Sequence, residues 1–336
     1  MFKKAILFLG IIIIIVLACF LLPNVSSTKN TEYLLIRKNS SIESIVDSLS
    51  KKESVYSSLS FSLCAHIVGY KHKIKIGRYE LKPGLNNLYL LNNLIKGRQK
   101  PIRISFNNIR TKQQLCARLS NQLMLDSTEI FKILSSNDSL KKYGVNSDNA
   151  VCLFIPNTYE VYWTISTQKL MEKMYTAYLA FWTDARKEKA EQAKLSPCEV
   201  STLASIVEEE SNLACEKPLI AGLYLNRLYS DMPLQADPTI KFALGDFSIK
   251  RILFKHIDDT KSSPYNTYIN KGLPPGPIRI PSVESIDAVL NYKHHPYFFM
   301  CAKGSGGQGH DFAVTFQEHL QNANRYRGEM NKLGVK

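Results

Sequence analysis

Residues Ala5 to Leu22 form an unbroken run of eighteen apolar residues without a charge, closed by Pro23. A helix crossing a bilayer needs about 17–25 such residues, and a globular surface cannot carry them. Lys3 and Lys4 precede the run and no basic cluster follows it directly, which places the N-terminus in the cytoplasm. The run is longer than the apolar stretch of a cleaved signal, about 7–15 residues, and no small-x-small cleavage site follows Leu22. Cys19, behind Val16-Leu17-Ala18, leaves lipidation as an alternative, against which the apolar run continues through Phe20, Leu21 and Leu22. The expectation is a single-pass protein of the cytoplasmic (inner) membrane. Residues 1–4 form a cytoplasmic tip, 5–23 the span and 24–31 a polar linker, and the remainder lies on the outer side.

That placement governs how the charge is read. Of 336 residues, 43 are Lys or Arg and 29 are Asp or Glu, a net charge of +14. The basic residues are scattered, with no dense run or aromatic-interleaved stripe, and an exported chain does not meet nucleic acid. An anionic lipid surface or an anionic cell-wall polymer suits them better. The apolar share of 45% excludes disorder as the dominant state. Seven cysteines, an odd number, lie far apart without a Cys-x-x-Cys pair, so neither a zinc site nor a disulfide framework is expected.

The pattern of elements predicts an α+β protein. Tyr33–Ile36 reads as a strand. Ser41 caps an amphipathic helix through Ile42, Ile45, Val46 and Leu49, and a second helix covers Ser57 to Val68. Lys75–Leu81 reads as a strand and Leu88–Ile95 as a helix ended by Gly97, giving a β-α-α-β-α module over 32–100. A second module over 101–150 starts with the strand Ile102–Phe106. The helices Lys112–Leu123 and Ser127–Leu134 follow, the latter capped by Asp126 or Ser127. Its order resembles a LysM-like carbohydrate-binding module. The third domain, 151–336, opens with an aromatic turn segment, Phe154–Tyr159, continues with a long helix over Leu170–Lys194 and, beyond Asn226, runs through Pro-rich loops with few regular elements, of the kind that shape a binding groove.

The sharpest site signal lies in that domain. Ser196-Pro197-Cys198-Glu199 is a helix start, with Ser196 as N-cap, Pro197 at the first position and Glu199 closing a capping box. At about 100° per residue, Val200, Leu203, Ala204 and Val207 form one apolar stripe. Of the glutamates that end the helix, Glu209 points nearly opposite the stripe, Glu208 lies off its side, and Glu210 falls back on the apolar side. A carboxyl on an apolar face beside two others has its pKa raised by desolvation and like charge, the condition for a general acid near neutral pH. The alternative is a solvated acidic helix end with Glu210 paired to a Lys or Arg. Consecutive glutamates cannot face one metal ion from a helix, so no metal is expected there.

Ala204-Ser205-Ile206-Val207-Glu208-Glu209-Glu210, Asn226-Arg227-Leu228 and Met232-Pro233-Leu234-Gln235-Ala236-Asp237-Pro238-Thr239 resemble the signature of the endolytic murein transglycosylases, the YceG-like family. Ser263-Pro264-Tyr265-Asn266-Thr267-Tyr268 and Gly272-Leu273-Pro274-Pro275-Gly276-Pro277-Ile278 are similar to further family segments in the same order, and His310–His319 resembles the closing one. The resemblance implies a YceG-like catalytic domain in which Glu210 is the single catalytic acid. It further implies that Gln235, Asp237, Asn266 and Tyr268 line a glycan groove. Asp237 before Pro238 and Asn266 each have a plainer reading, as turn and loop residues. His310 and His319 are expected to stabilise the fold, and Thr315 is left open. Two positions depart from the family pattern: Asn157 stands in place of its usual acid, and Glu209 where a Lys is common.

The implied activity is that of a membrane-anchored lytic transglycosylase. It would cleave the MurNAc-β-1,4-GlcNAc bond of nascent peptidoglycan strands, leave 1,6-anhydroMurNAc ends and terminate elongation, with no cofactor. Elongation synthases would be partners. Two alternatives stand beside it: a muramidase-type hydrolase with Asp237 as second carboxylate, and a non-catalytic wall-binding membrane protein.

Overall fold

The computed structural model describes residues 2–26, 32–304 and 308–332. It divides into two compact units, one of residues 1–104, 120–125 and 159–166, the other of 105–119, 126–158 and 167–336. Within the expected module at 101–150, residues 101–104 and 120–125 fall in the first unit and 105–119 and 126–150 in the second.

The first unit begins with α1 (Phe2–Leu21), the one helix among the described residues long and apolar enough to cross a membrane. β1 (Glu32–Ile36), α2 (Ile42–Lys51), α3 (Ser58–Ile67), β2 (Gly77–Leu81) and α4 (Asn87–Lys96) follow in the expected order. β1 and β2 pair antiparallel with Leu34 opposite Tyr79 and Ile36 opposite Gly77. One face of this strand pair meets Ile42, Ile45 and Leu49 of α2 and Phe61 of α3 in a single core. Ser41 caps α2 as its sequence requires, donating and accepting across a box with Ser44.

The start of the expected linker is instead built into this unit. Asn24 and Val25 are buried. Both their amides donate to the Leu85 carbonyl, at 2.9 Å each, and the Asn24 carbonyl accepts from Tyr56 N at 2.8 Å. The Asn24 side chain bonds Ser57 in both directions and donates to Asn87 Oδ1 at 2.8 Å. Asn87 Nδ2 in turn donates to the Cys19 carbonyl at 2.9 Å, near the end of α1. Polar composition suggested slack; here the amides satisfy buried backbone groups that would otherwise be unpaired. Residues 27–31 of that segment lie outside the described residues.

β3 (Ile102–Ser105), α5 (Lys112–Gln122), α6 (Ser127–Leu134), α7 (Asn137–Lys141) and β4 (Thr158–Val161) come next, and β3 and β4 share a two-stranded sheet. Asp126 caps α6.

The expected long helix of 170–194 is two: α8 (Thr167–Phe181) and α9 (Asp184–Gln192). Thr183 takes an extended backbone and starts a new helix, while Trp182 is buried in the core between them. The second unit is then built on α10 (Pro197–Glu210), α11 (Lys217–Tyr229), α12 (Asp237–Leu244), α13 (Phe254–Asp259) and α14 (Val283–Leu290), with α10 packed against α11, α12 and α14. It ends with the antiparallel hairpin β5 (Phe299–Ala302) and β6 (His310–Ala313), followed by α15 (Phe316–Lys332). The region beyond Asn226 is thus more regular than its prolines implied. Pro238 sits in the first turn of α12, where its missing N–H costs nothing.

Candidate active site

α10 carries the site. Ser196 Oγ accepts from Glu199 N, Glu199 Oε2 accepts from Ser196 N at 2.7 Å, and Pro197 opens the helix. Beyond the expected stripe, every residue from Val200 to Val207 is buried. The hydroxyls on its other faces turn inward: Ser201 donates to the Pro197 carbonyl, Thr202 to Cys198 and Ser205 to Thr202. Ser205 Oγ also accepts from Ile278 N at 3.0 Å, tying the Pro-Gly-Pro segment to the helix. α10 is a central rod rather than an amphipathic surface helix.

The three terminal glutamates meet three different environments. Glu209 accepts a two-pronged bond from Arg110, Nε and Nη2 each at 3.0 Å, and a contact from Arg279 Nη1 at 2.6 Å. Burial pushes the Glu209 carboxyl up, but the Arg110 bonds and the two guanidinium charges outweigh it and hold it below the usual range. Glu208 is held by Arg279 Nη2 at 3.2 Å and by Ser282 N. Glu209 is thus paired and half-buried rather than solvated, because its partners lie 99 residues upstream and 70 residues downstream.

Glu210 has no ion pair among the described residues. Its Oε1 accepts a 2.6 Å hydrogen bond from the Tyr224 hydroxyl of α11, which shares its buried face with Arg227. Its pKa is pushed up to about 7. Burial is the largest cause; the Tyr224 bond pulls the other way, the Asp237 charge pushes up, Lys241 pulls down, and Glu209 adds a further push upward. The same burial and the adjoining carboxylate raise the Tyr224 hydroxyl well above its ordinary range, so it stays a donor.

Glu210 opens into a cleft of about 640 Å³. Gln235, Asp237 and Tyr268 line it with Glu210, so three of the four expected groove residues are brought together. Gln235 has a positive φ of 52°, and its backbone N–H donates to the Thr267 carbonyl at 2.9 Å. Asp237 is the first residue of α12 and accepts the Tyr268 hydroxyl. Asn266 is not brought to the cleft. It is 0% exposed, and its amide donates to the Ile257 carbonyl and Thr260 Oγ1 while its oxygen accepts from Tyr268 N. Its work is to hold the end of α13 against the 263–268 loop.

Arg227, which lies in a segment the resemblance marked without giving it a role, also lines the cleft. Nε donates to the Phe298 carbonyl at 2.7 Å and Nη1 to the Leu234 carbonyl at 2.8 Å, with the guanidinium 5.2 Å from the Phe299 ring. Asn226 donates to the His295 and Tyr297 carbonyls. This pair locks the segment leading to β5 onto α11. His310 and His319 both line the cleft. His310 Nδ1 and N contact Glu216 at 3.0 and 2.7 Å, and Glu216 accepts from Ser211, the residue after Glu210. Thr315 Oγ1 accepts from Glu318 N and starts α15. Tyr224 and Glu216 escaped sequence reasoning. The only local signal was a lone phenol on a buried helical face, a common core feature. No group of three His, Cys, Asp or Glu side chains placed to share a metal occurs among the described residues.

Comparison with known proteins gives a consistent set of relatives. The YceG-like family matches residues 34–325. A protein of Bacillus subtilis (strain 168) named endolytic murein transglycosylase is 27% identical over 329 residues, covering 92% of this chain and 89% of its own length. One of the same name from Streptococcus pneumoniae (strain R6) is 26% identical, with 90% of this chain matched to 59% of that protein. The crystal structure of a putative YceG-like protein from Listeria monocytogenes superposes with a TM-score of 0.59 at 26% identity, covering 88% of this chain and 99% of that one.

Proposed function

The chain belongs to the YceG-like family, and from that premise we propose that it is a lytic transglycosylase acting within peptidoglycan strands, with Glu210 as its single acid and base. The observation that carries this reading is Glu210 itself: a half-buried carboxyl without an ion pair among the described residues, open to a cleft, with a pKa near neutrality. A carboxyl at about pH 7 is protonated often enough to donate and acidic enough to release its proton.

In this mechanism Glu210 gives its proton to the oxygen bridging MurNAc C1 and GlcNAc C4 as the C1–O bond breaks. The resulting carboxylate takes the proton of the MurNAc C6 hydroxyl as O6 bonds to C1, closing a 1,6-anhydro ring and restoring the acid. The nucleophile belongs to the same sugar, so its attack has the entropic advantage of an intramolecular step. Tyr224 holds Oε1 and leaves the other oxygen for the substrate. Gln235, Asp237 and Tyr268 are proposed to contact the glycan from the cleft wall.

A hydrolase is the second reading, because Asp237 shares the cleft with Glu210 and could serve as the second carboxylate of a water-consuming mechanism. The engagement of Asp237 by Tyr268 speaks for the transglycosylase. The deciding experiment is mass spectrometry of peptidoglycan digested by the wild type and by Glu210→Gln. The proposal expects internal cuts with anhydro ends, absent with the variant, whereas reducing MurNAc ends would move the assignment to the hydrolase.

The anchor, orientation and setting complete the proposal. α1 would span the cytoplasmic membrane with Lys3 and Lys4 inside, keeping the enzyme where new strands emerge beside the elongation synthases and letting its cuts end their growth. The strand–helix–helix order of β3, α5 and α6 supports a LysM-like, glycan-binding role for 101–150.

A further inference from the structure

Outside α1, the described phenylalanines left exposed are two, Phe254 and Phe316. Phe254 is 91% exposed at the first position of α13, and Phe316 is 58% exposed at the first position of α15. Both line the cleft that holds Glu210. Each bare ring has an apolar neighbour, Leu253 beside the first and Leu320 one helical turn beyond the second, both exposed. A folded protein hides its phenylalanines when it can, and two rings left bare in one cleft, beside polar groups such as Gln235 and Asp237, mark a ligand with both an apolar face and polar edges.

The supports beneath the rings are firm. α13 is held by the Asn266 amide through Ile257 and Thr260. Phe316 leans on Phe299 and His319, with ring centres 5.7 and 6.0 Å apart. A pyranose ring offers such a platform one face of axial C–H bonds, while its hydroxyls and amides remain free for Gln235 and Asp237. A peptide stem or a phosphate-bearing polymer offers no comparable flat apolar face.

We propose that Phe254 and Phe316 are stacking platforms for pyranose rings of the bound glycan, one on the α13 wall and one on the α15 wall of the Glu210 cleft. Such platforms would grip sugars away from the scissile bond and favour internal positions of a long strand over a short fragment. The proposal rests on the glycan reading above, but it concerns binding and can be tested apart from cleavage.

The test is titration of full-length protein in detergent micelles with peptide-free glycan strands, in a Glu210→Gln background so that nothing is cut. Phe254→Ala and Phe316→Ala are each expected to weaken binding about three- to tenfold, at aromatic contacts of the usual strength. Phe254→Trp should bind like the parent, and Leu179→Ala, which removes an exposed side chain on α8, should not matter. The losses should appear with long strands and vanish with a disaccharide. Equal affinity of the parent and both alanine variants for long strands would overturn the proposal, as would a parent that binds no glycan. Failure of wild-type protein to cut strands that it binds in a Phe-dependent way would sink the catalytic reading and leave the platforms standing.

Discussion

Glu210→Gln should stabilise the protein, and by an amount that depends on pH in a defined direction. The Glu210 pKa is pushed from 4.5 to about 7 in the fold. A carboxyl raised on folding binds more protons in the native than in the unfolded state between those two values, so stability falls as pH rises through that window. The interval is about 2.5 units, and at 1.36 kcal/mol per unit the ionised side chain costs roughly 3 kcal/mol above pH 7. Glutamine keeps the oxygen that Tyr224 bonds but cannot ionise, so the variant escapes the cost. Every other titrating group is common to both proteins and cancels in the difference. Below about pH 4.5 the two should melt together; from there to pH 7 the variant should pull ahead, reaching about 5–10 °C in Tm for a unit of this size. Thermal unfolding of both proteins in the same micelles at pH 4, 6 and 8 reads this directly. A constant Tm difference across that range, or a wild type that gains on the variant as pH rises, would refute the reasoning and with it the raised pKa.

Three further outcomes follow from named contacts. Tyr224→Phe removes a hydrogen bond to the charged form worth about 1.5–3 kcal/mol, so the Glu210 pKa should climb by about one to two units and the alkaline limb of the pH–rate profile should move up equally; an unmoved limb would show that the bond does not tune the acid. Arg279→Met strips a partner from both Glu208 and Glu209, leaving Glu208 without an ion pair while Arg110 still holds Glu209, and should cost about 3 kcal/mol in denaturant unfolding; an unchanged midpoint would show that Arg279 adds nothing to what Arg110 and Ser282 supply. Asn266→Ala leaves Tyr268 N without its Asn266 acceptor and removes the Asn266 donor from the Ile257 carbonyl and Thr260 Oγ1, and should lower stability by about 1–3 kcal/mol, read as a lower unfolding midpoint; an unchanged midpoint would show the loop to be braced elsewhere.

What could be read along the chain was whatever is decided within a few residues. The Ser196-Pro197-Glu199 start of α10 and the phase of Glu210 on that helix are both local. So is the β-α-α-β-α order of the first unit, where capping serines and periodic leucines agree. Long-range pairing was not legible. Nothing near Glu209 announces Arg110 and Arg279, and a helix with Ser201, Thr202 and Ser205 looks half-polar until those hydroxyls are seen to bond their own backbone. Asn266 shows the same limit in a motif: its segment faces the cleft through Tyr268, while the asparagine itself is spent inside the loop. Asn24 looked like linker because an asparagine signals a turn unless a buried carbonyl awaits it.

That last residue has a mechanical consequence. The joint of Asn24 and Asn87 with the Cys19 carbonyl, together with the amides stitched to Leu85, leaves α1 and the first unit turning as one piece. If α1 spans a bilayer as proposed, the unit would not swivel on its stem, and the azimuth of the helix among its lipid neighbours would become the azimuth of the whole module. Adding a single residue between Ala5 and Ala18 would therefore act like one notch on a dial, rotating the module by about 100° relative to the preceding helical face. A loose tether would absorb the same insertion without a trace.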